Sequence, residues 1–304
     1  MITTAQLAAA RQAAAVGPVL APAFLRVSGK DARSFLHRVS TQDLAALAPG
    51  ASAHAAFLTS KGHLVAEGHV LARADDLVLA LEPAAAPGLR AHLEKYVVMD
   101  DVALAPLEGL RVLPVLGPGA AGAVEGLAAA APRVPSARRG VPAVDLWLAA
   151  GEAEEVRAAL AGRGLPALDE EALEALRILG GAAGHGAELD AARLPMEAGL
   201  TRAAISFTKG CYLGQEIVVR ATVRGQLQRG LVQLSLPPGA GPGTALLAEG
   251  GAEAGTVTSA AETPEGRVGL GYLRRAHWRE GERLEAGGGT ATVRRVIVEE
   301  GVPG

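Results

Sequence analysis

Three short apolar runs lie almost back to back at residues 53–59, 64–72 and 77–81, separated only by short turns. A parallel pair of strands needs a crossover of a dozen or more residues, and these gaps leave no room for one. The runs are therefore expected to pair as an antiparallel meander, which disfavours a doubly wound parallel sheet.

The neighbouring segments agree. Residues 24–27 read as a strand, and Ser28 or Asp31 is placed to cap a helix carrying Ala32, Phe35, Leu36 and Val39 on one face. A helix is expected at 87–98, with Leu89, Leu93, Tyr96 and Val97 at helical spacing. Strands at 102–105, 110–116 and 144–149 and helices at 152–162 and 169–179 complete an α+β pattern. After Arg229 the texture changes. Short runs at 231–236, 254–260, 267–273 and 290–299 are divided by Gly/Pro clusters such as "PPGAGPG", the pattern of a small β-barrel. The expected division is 1–228 and 229–304.

At 304 residues, 49% of them hydrophobic, the chain can build about two domains with a sizeable core. Ala, Leu and Val must fill that core, because aromatics make up only 3%. A formal net charge of −3 argues against a dominant nucleic-acid surface, so no direct nucleic-acid binding is expected. One cysteine excludes an internal disulfide framework and a self-contained four-cysteine metal or iron–sulfur site. A reducing, cytoplasmic location is expected. The Ala-rich start is a poor secretory signal, and no long uninterrupted apolar stretch predicts a membrane span. Arg outnumbers Lys heavily and Asn is absent, which fits a GC-rich bacterial genome.

Gly117, Gly119 and Gly122 form G-x-G-x-x-G between a strand and a helix. Pro118 removes one amide from the supposed phosphate cradle, and no acidic residue falls about 20 positions on, so a structural turn is favoured. His63 and His69 could share a strand face but stand too far apart to hold a metal alone. His185, Glu188 and Asp190 cluster in "GHGAELD", where a solvated loop is favoured over a metal site. No metal ligand set is assigned. The densest chemistry lies in "FTKGCYLGQEIVVRATVRG", residues 207–225. Gly210 and Gly214 bracket Cys211, and Lys209 supplies a cation that favours a thiolate. On residue chemistry alone, a reactive thiol and a small buried hydrophobe are equally supported for Cys211.

"KGCYLGQE" resembles the signature K-G-C-Y-x-G-Q-E of the YgfZ family of folate-binding proteins, relatives of the glycine cleavage T-protein. The resemblance extends over most of the chain, through "LRVSGKDARSFLHRVSTQDL", "AAFLTSKGHLVAEGHVL", "LEKYVVMDDVALA", "LGPGAAGAVEGL" and "LPMEAGL". It implies two α+β lobes and a C-terminal barrel around a central hole that takes tetrahydrofolate or a derivative. It implies a role in assembly or repair of iron–sulfur enzymes, including those that thiomethylate tRNA, with such client enzymes or assembly factors as partners.

In that reading Cys211 is the functional thiol and Lys209 tunes it. Tyr212, Gln215, Glu216 and Arg220 are cofactor-binding candidates, with Arg224 a further candidate for an acidic tail. Glu67 and Glu197, in the matching hairpin and the segment before the signature, join them. The T-protein has paired Asp residues where this chain has Ala66-Glu67, and a pterin-gripping Glu where it has Leu179 after Arg177-Ile178. Those departures point away from aminomethyl transfer. A folate-dependent one-carbon transferase is the alternative function, and a folate-gated binding module a third.

Overall fold

A computed structural model describes residues 1–224, 227–299 and 301, with the backbone alone for 223 and 224. The meander forms as expected. Strands Ser52–Leu58, Leu64–Ala72 and Asp76–Leu81 pair in sequence order, and Ala23–Ser28 and Ala103–Leu107 extend the sheet to five antiparallel strands. One face carries Leu25, Val27, Ala66, Val70 and Leu79. It packs on helices Ala32–Val39 and Ala86–Glu94 through Phe35, Leu36, Leu89 and Leu93.

The second helix stops at Glu94, short of the expected 98, and leaves Val98 and Met99 exposed. Asp31 sits at the N-cap of the first helix without capping it by its side chain. Its carboxylate instead accepts the Asp101 amide at 2.9 Å, tying down the following loop.

A second sheet orders Ala15–Val16, Leu110–Leu116, Ala143–Ala149 and Arg133–Ser136, with helix Ala150–Gly162 packed on it. The two sheets meet through Phe24, Leu71 and Val78 on one side and Val112, Val134 and Trp147 on the other. Phe24 meets Trp147 edge-on at 5.1 Å. Gly117 and Gly119 lie at this sheet's end. Their amides donate to Pro142 O at 2.7 Å and Ala13 O at 2.8 Å, so the glycine run is a packed turn with no open cradle.

From Arg229 to Val296 six strands close into a barrel. Helix Glu170–Gly180 joins it to the rest. Asp169 caps the helix by accepting the Ala172 amide at 2.7 Å, and Gly181 ends it with φ +70°. Leu173, Leu176 and Leu179 pack in one core with Leu231, Leu270 and Tyr272 of the barrel.

The loop expected to be solvated at 184–190 is exposed at Gly186, Ala187 and Asp190, but its Glu188 is instead a buried fastener. Glu188 accepts from Arg177 at 2.9 Å, from Thr258 and Ser259 at 2.6 Å each, and from the Gly184 amide at 2.9 Å. A buried carboxylate needs that many donors to offset its lost hydration. Among the described residues no helix is long and apolar enough to cross a membrane.

Candidate functional site

A cavity of about 830 Å³ opens where the two sheets, the end of helix Glu170–Gly180 and the chain leaving the barrel meet. Its chemistry follows from strand alternation. Ala66 and Val70 of strand Leu64–Ala72 point to the helices, so Glu67 and His69 point the other way and line the cavity. His54 lies directly across from His69 in the antiparallel register, and the two rings stack at 5.0 Å and 22°.

The fourth side chain, Arg138, comes from the loop after strand Arg133–Ser136. That loop reaches inward because two glycines touch. Gly140 has φ +79°, and a Cβ on it would lie 2.5 Å from Gly180 Cα. Beside it Arg139 Nη1 donates to both carboxylate oxygens of Asp145, at 2.8 and 2.9 Å.

The wall is electrostatically closed. Glu67 is buried, with one oxygen hydrogen-bonded by Arg138 Nη2 and the other by His54 Nε2. Burial pushes the carboxyl up, but the Arg138 guanidinium and the His54 hydrogen bond outweigh it and hold Glu67 well below the usual carboxylate range. Glu67 is thus an ionised anchor and a poor proton donor. His69 is driven well below its ordinary value by burial and by the neighbouring His54 and Arg138, so its imidazole is neutral. His69 and Arg138 also line a cleft of about 200 Å³ on the far side, with Pro22, Glu82 and Trp147.

The signature stands elsewhere. Lys209 is buried, and its Nζ donates to the carbonyls of His37, Ser40 (2.8 Å) and Gln42 (2.9 Å). These carbonyls lie at and just past the C-terminal end of helix Ala32–Val39, where helical partners run out. Burial lowers the amine to about 8, with Asp43 opposing. The Lys209 charge thus serves as a clamp on the helix end, a use the expected tuning of the thiol did not foresee.

Tyr212 is buried with its ring 5.1 Å from that Nζ, and burial pushes its phenol up to about 12. Leu213 donates its amide to Arg38 O at 3.2 Å. Gly214, at φ +85°, lies so close to the hairpin turn that a Cβ would be 2.7 Å from Thr59 O. This framework leaves Cys211 exposed. Glu216 and Arg220 are also exposed, and Gln215 is half-buried.

Among the described residues, none of 209–220 lines the cavity. Glu197 is buried in a separate place, accepting the Leu194 amide at 3.2 Å and pairing with Arg229 at 3.3 Å. Of the sequence candidates, Glu67 alone faces the cavity, and the Arg224 side chain lies outside the described residues. His54, His69 and Arg138 went unassigned as ligand residues. The one signal available was the alternation that puts His69 on the face of Glu67. Nothing in "SARRG" marks Arg138 as inward.

Residues 2–135 match the GCVT N-terminal domain family, and residues 228–297 the CAF17 C-terminal beta-barrel domain. The tRNA-modifying protein YgfZ of Edwardsiella ictaluri is 30% identical over 243 residues, covering 69% of this chain and 67% of that protein. Its counterpart in Yersinia pseudotuberculosis is 29% identical, covering 81% and 80%. An aminomethyltransferase of Rubrobacter xylanophilus is 28% identical, covering 81% and 72%. The glycine cleavage system aminomethyltransferase T of Bartonella henselae shares the fold, with TM-score 0.82 at 22% identity over 98% of this chain and 90% of that one. The full-length fold, the two domain matches and the relatives that carry the name together place the chain in the YgfZ family.

Proposed function

We propose that the protein is a folate-binding accessory factor for assembly or repair of iron–sulfur enzymes, tRNA-thiomethylating ones among them. The cavity carries this reading. At about 830 Å³ it is large enough for a folate-sized molecule. One wall is polar, through His54, Glu67, His69 and Arg138. Much of the remaining lining is small or apolar, through Gly181, Ala182, Ala198, Val296 and Ile297, with Arg295 and Glu299 beside them engaged in protein hydrogen bonds. Such a slot suits a flat ring with one polar edge. A reduced folate held there would supply a one-carbon carrier.

The same wall argues against aminomethyl transfer. Where the resemblance places the T-protein's acid, Glu67 has both oxygens engaged and stays ionised. Cys211 faces solvent, away from the cavity lining, so its natural counterpart is a partner protein. One thiol cannot hold a cluster, and the partner's thiols would complete any transient ligation.

Two measurements test the reading. Calorimetry should detect tetrahydrofolate binding to the wild type. In cells lacking the gene, wild type should restore thiomethylated tRNA nucleoside measured by mass spectrometry, and Cys211→Ala should not. Absence of heat at millimolar folate removes the ligand, and full rescue by Cys211→Ala removes the thiol.

A further inference from the structure

Resting on the folate reading of the cavity, we propose that His69, with Arg138 beside it, reads the polar edge of the bound ring, a planar heteroaromatic lactam.

Most polar atoms of the wall are already engaged. Both Glu67 oxygens and His54 Nε2 are engaged with each other and with Arg138. Ser136 Oγ accepts the Arg138 amide at 3.4 Å. On the opposite side Arg295 donates to Gly180 O at 2.5 Å, and Glu299 accepts the Arg202 amide at 2.9 Å.

His69 differs from all of these. It is 4% exposed and lines both the cavity and the far cleft. Among the described residues no hydrogen bond reaches its ring nitrogens, and neither nitrogen is among the sealed, unpartnered atoms, so both open onto space. A buried imidazole with no protein partner is costly unless something else completes its hydrogen bonds.

The ring is also held in place. It stacks on His54, His54 is fixed by Glu67, and Glu67 is fixed by Arg138. Gly68, next to His69, keeps the strand tight against its neighbour, because a Cβ there would lie 2.3 Å from Ala80 O. The imidazole is thus presented at a set angle with one acceptor nitrogen and one N–H. Arg138 uses Nη2 on Glu67, its side chain lines the cavity as well as the far cleft, and its other guanidinium N–H groups have no protein acceptor among the described residues.

An acceptor nitrogen beside a guanidinium donor matches the N–H and adjacent carbonyl of a lactam edge. A carboxylate would satisfy the guanidinium but would offer nothing to the imidazole's acceptor. The pair therefore selects the ring end of a folate over its glutamate tail.

The test separates the two halves of the ligand. Calorimetry is run with tetrahydrofolate, with tetrahydropterin and with p-aminobenzoylglutamate, on wild type, His69→Phe and His69→Gln. Phenylalanine keeps the stacking and removes both nitrogens. Glutamine keeps a donor and an acceptor. His69→Phe should weaken tetrahydropterin by about tenfold or more, and His69→Gln should recover part of the loss. Affinity for p-aminobenzoylglutamate should move by less than about twofold.

Equal weakening of both fragments, or none, overturns the inference while tetrahydrofolate binding by wild type leaves the folate reading standing. If wild type binds none of the three, both fall. Should His69→Phe fail to fold, the wild type still decides. Its His69 ring nitrogen resonances should shift on adding tetrahydropterin, and resonances that stay put under saturating ligand overturn the inference.

Discussion

The cavity wall and the signature turn hold their side chains in opposite ways. At the wall, four residues from three separate segments (His54, the pair Glu67 and His69, and Arg138) lock one another by charge pairing, hydrogen bonding and ring stacking around the buried Glu67 and His69. At the turn, contiguous residues are locked by backbone, through Lys209 on three carbonyls and Gly214 against the hairpin, and the thiol is left outside. A wall of the first kind is selective and brittle, because removing one charge strands another. A turn of the second kind tolerates change at its tip, because the tip bears none of the packing.

The largest effect should therefore fall on the wall. Arg138→Met leaves Glu67 buried without its guanidinium, and should cost about 3–5 kcal/mol in urea unfolding. A loss below about 1 kcal/mol would mean that Glu67 escapes to water and that the wall is not closed.

Next comes the clamp. Lys209→Met keeps the aliphatic stem and strands three carbonyls, and should cost about 1–3 kcal/mol by the same measurement. An unchanged midpoint would show that water replaces the amine and that the turn does not depend on it.

Acid should find the wall before the turn. His69 is held below its ordinary value, so below about 6.5 the unfolded chain binds a proton that the fold resists. Its contribution is therefore present above that pH and lost as pH falls. Glu67 is depressed as well, and its contribution is present above the ordinary Glu value of about 4.3 and lost below it. The melting temperature should fall between pH 7 and pH 5, and His69→Phe should flatten that part of the curve while leaving the steeper decline at lower pH. An identical slope in the variant would assign the acid lability elsewhere.

The same contrast explains what could be read in advance. The meander, the later strands of the first two-thirds and the barrel were legible because their apolar runs are long and bounded by turn residues. Strand Leu64–Ala72 appears at its expected limits. The two-residue strand Ala15–Val16 and the strand Arg133–Ser136 with its internal proline carry too little pattern to stand out. The signature was legible because its eight residues are contiguous. The wall was not, because it depends on the register that sets His54 against His69 and on the Gly140–Gly180 contact that brings Arg138 inward. Neither is written in any local window. Glu188 was misread for the same reason: its donors Arg177, Thr258 and Ser259 lie on other elements.

The smallest effect on stability should come at the most conspicuous residue. Cys211 is exposed and packs nothing, so Cys211→Ser should change unfolding by no more than about 0.5 kcal/mol. Iodoacetamide should label the native protein at this one thiol. The informative measurement is the labelling rate in Lys209→Met. If the lysine charge activated the thiol, removing it would slow alkylation several-fold. If the lysine is the clamp its three hydrogen bonds describe, removal loosens the turn and the rate should stay level or rise. A marked slowing, in a variant that still folds, would restore Lys209 to the chemistry of Cys211 and erase half of the contrast between the two regions.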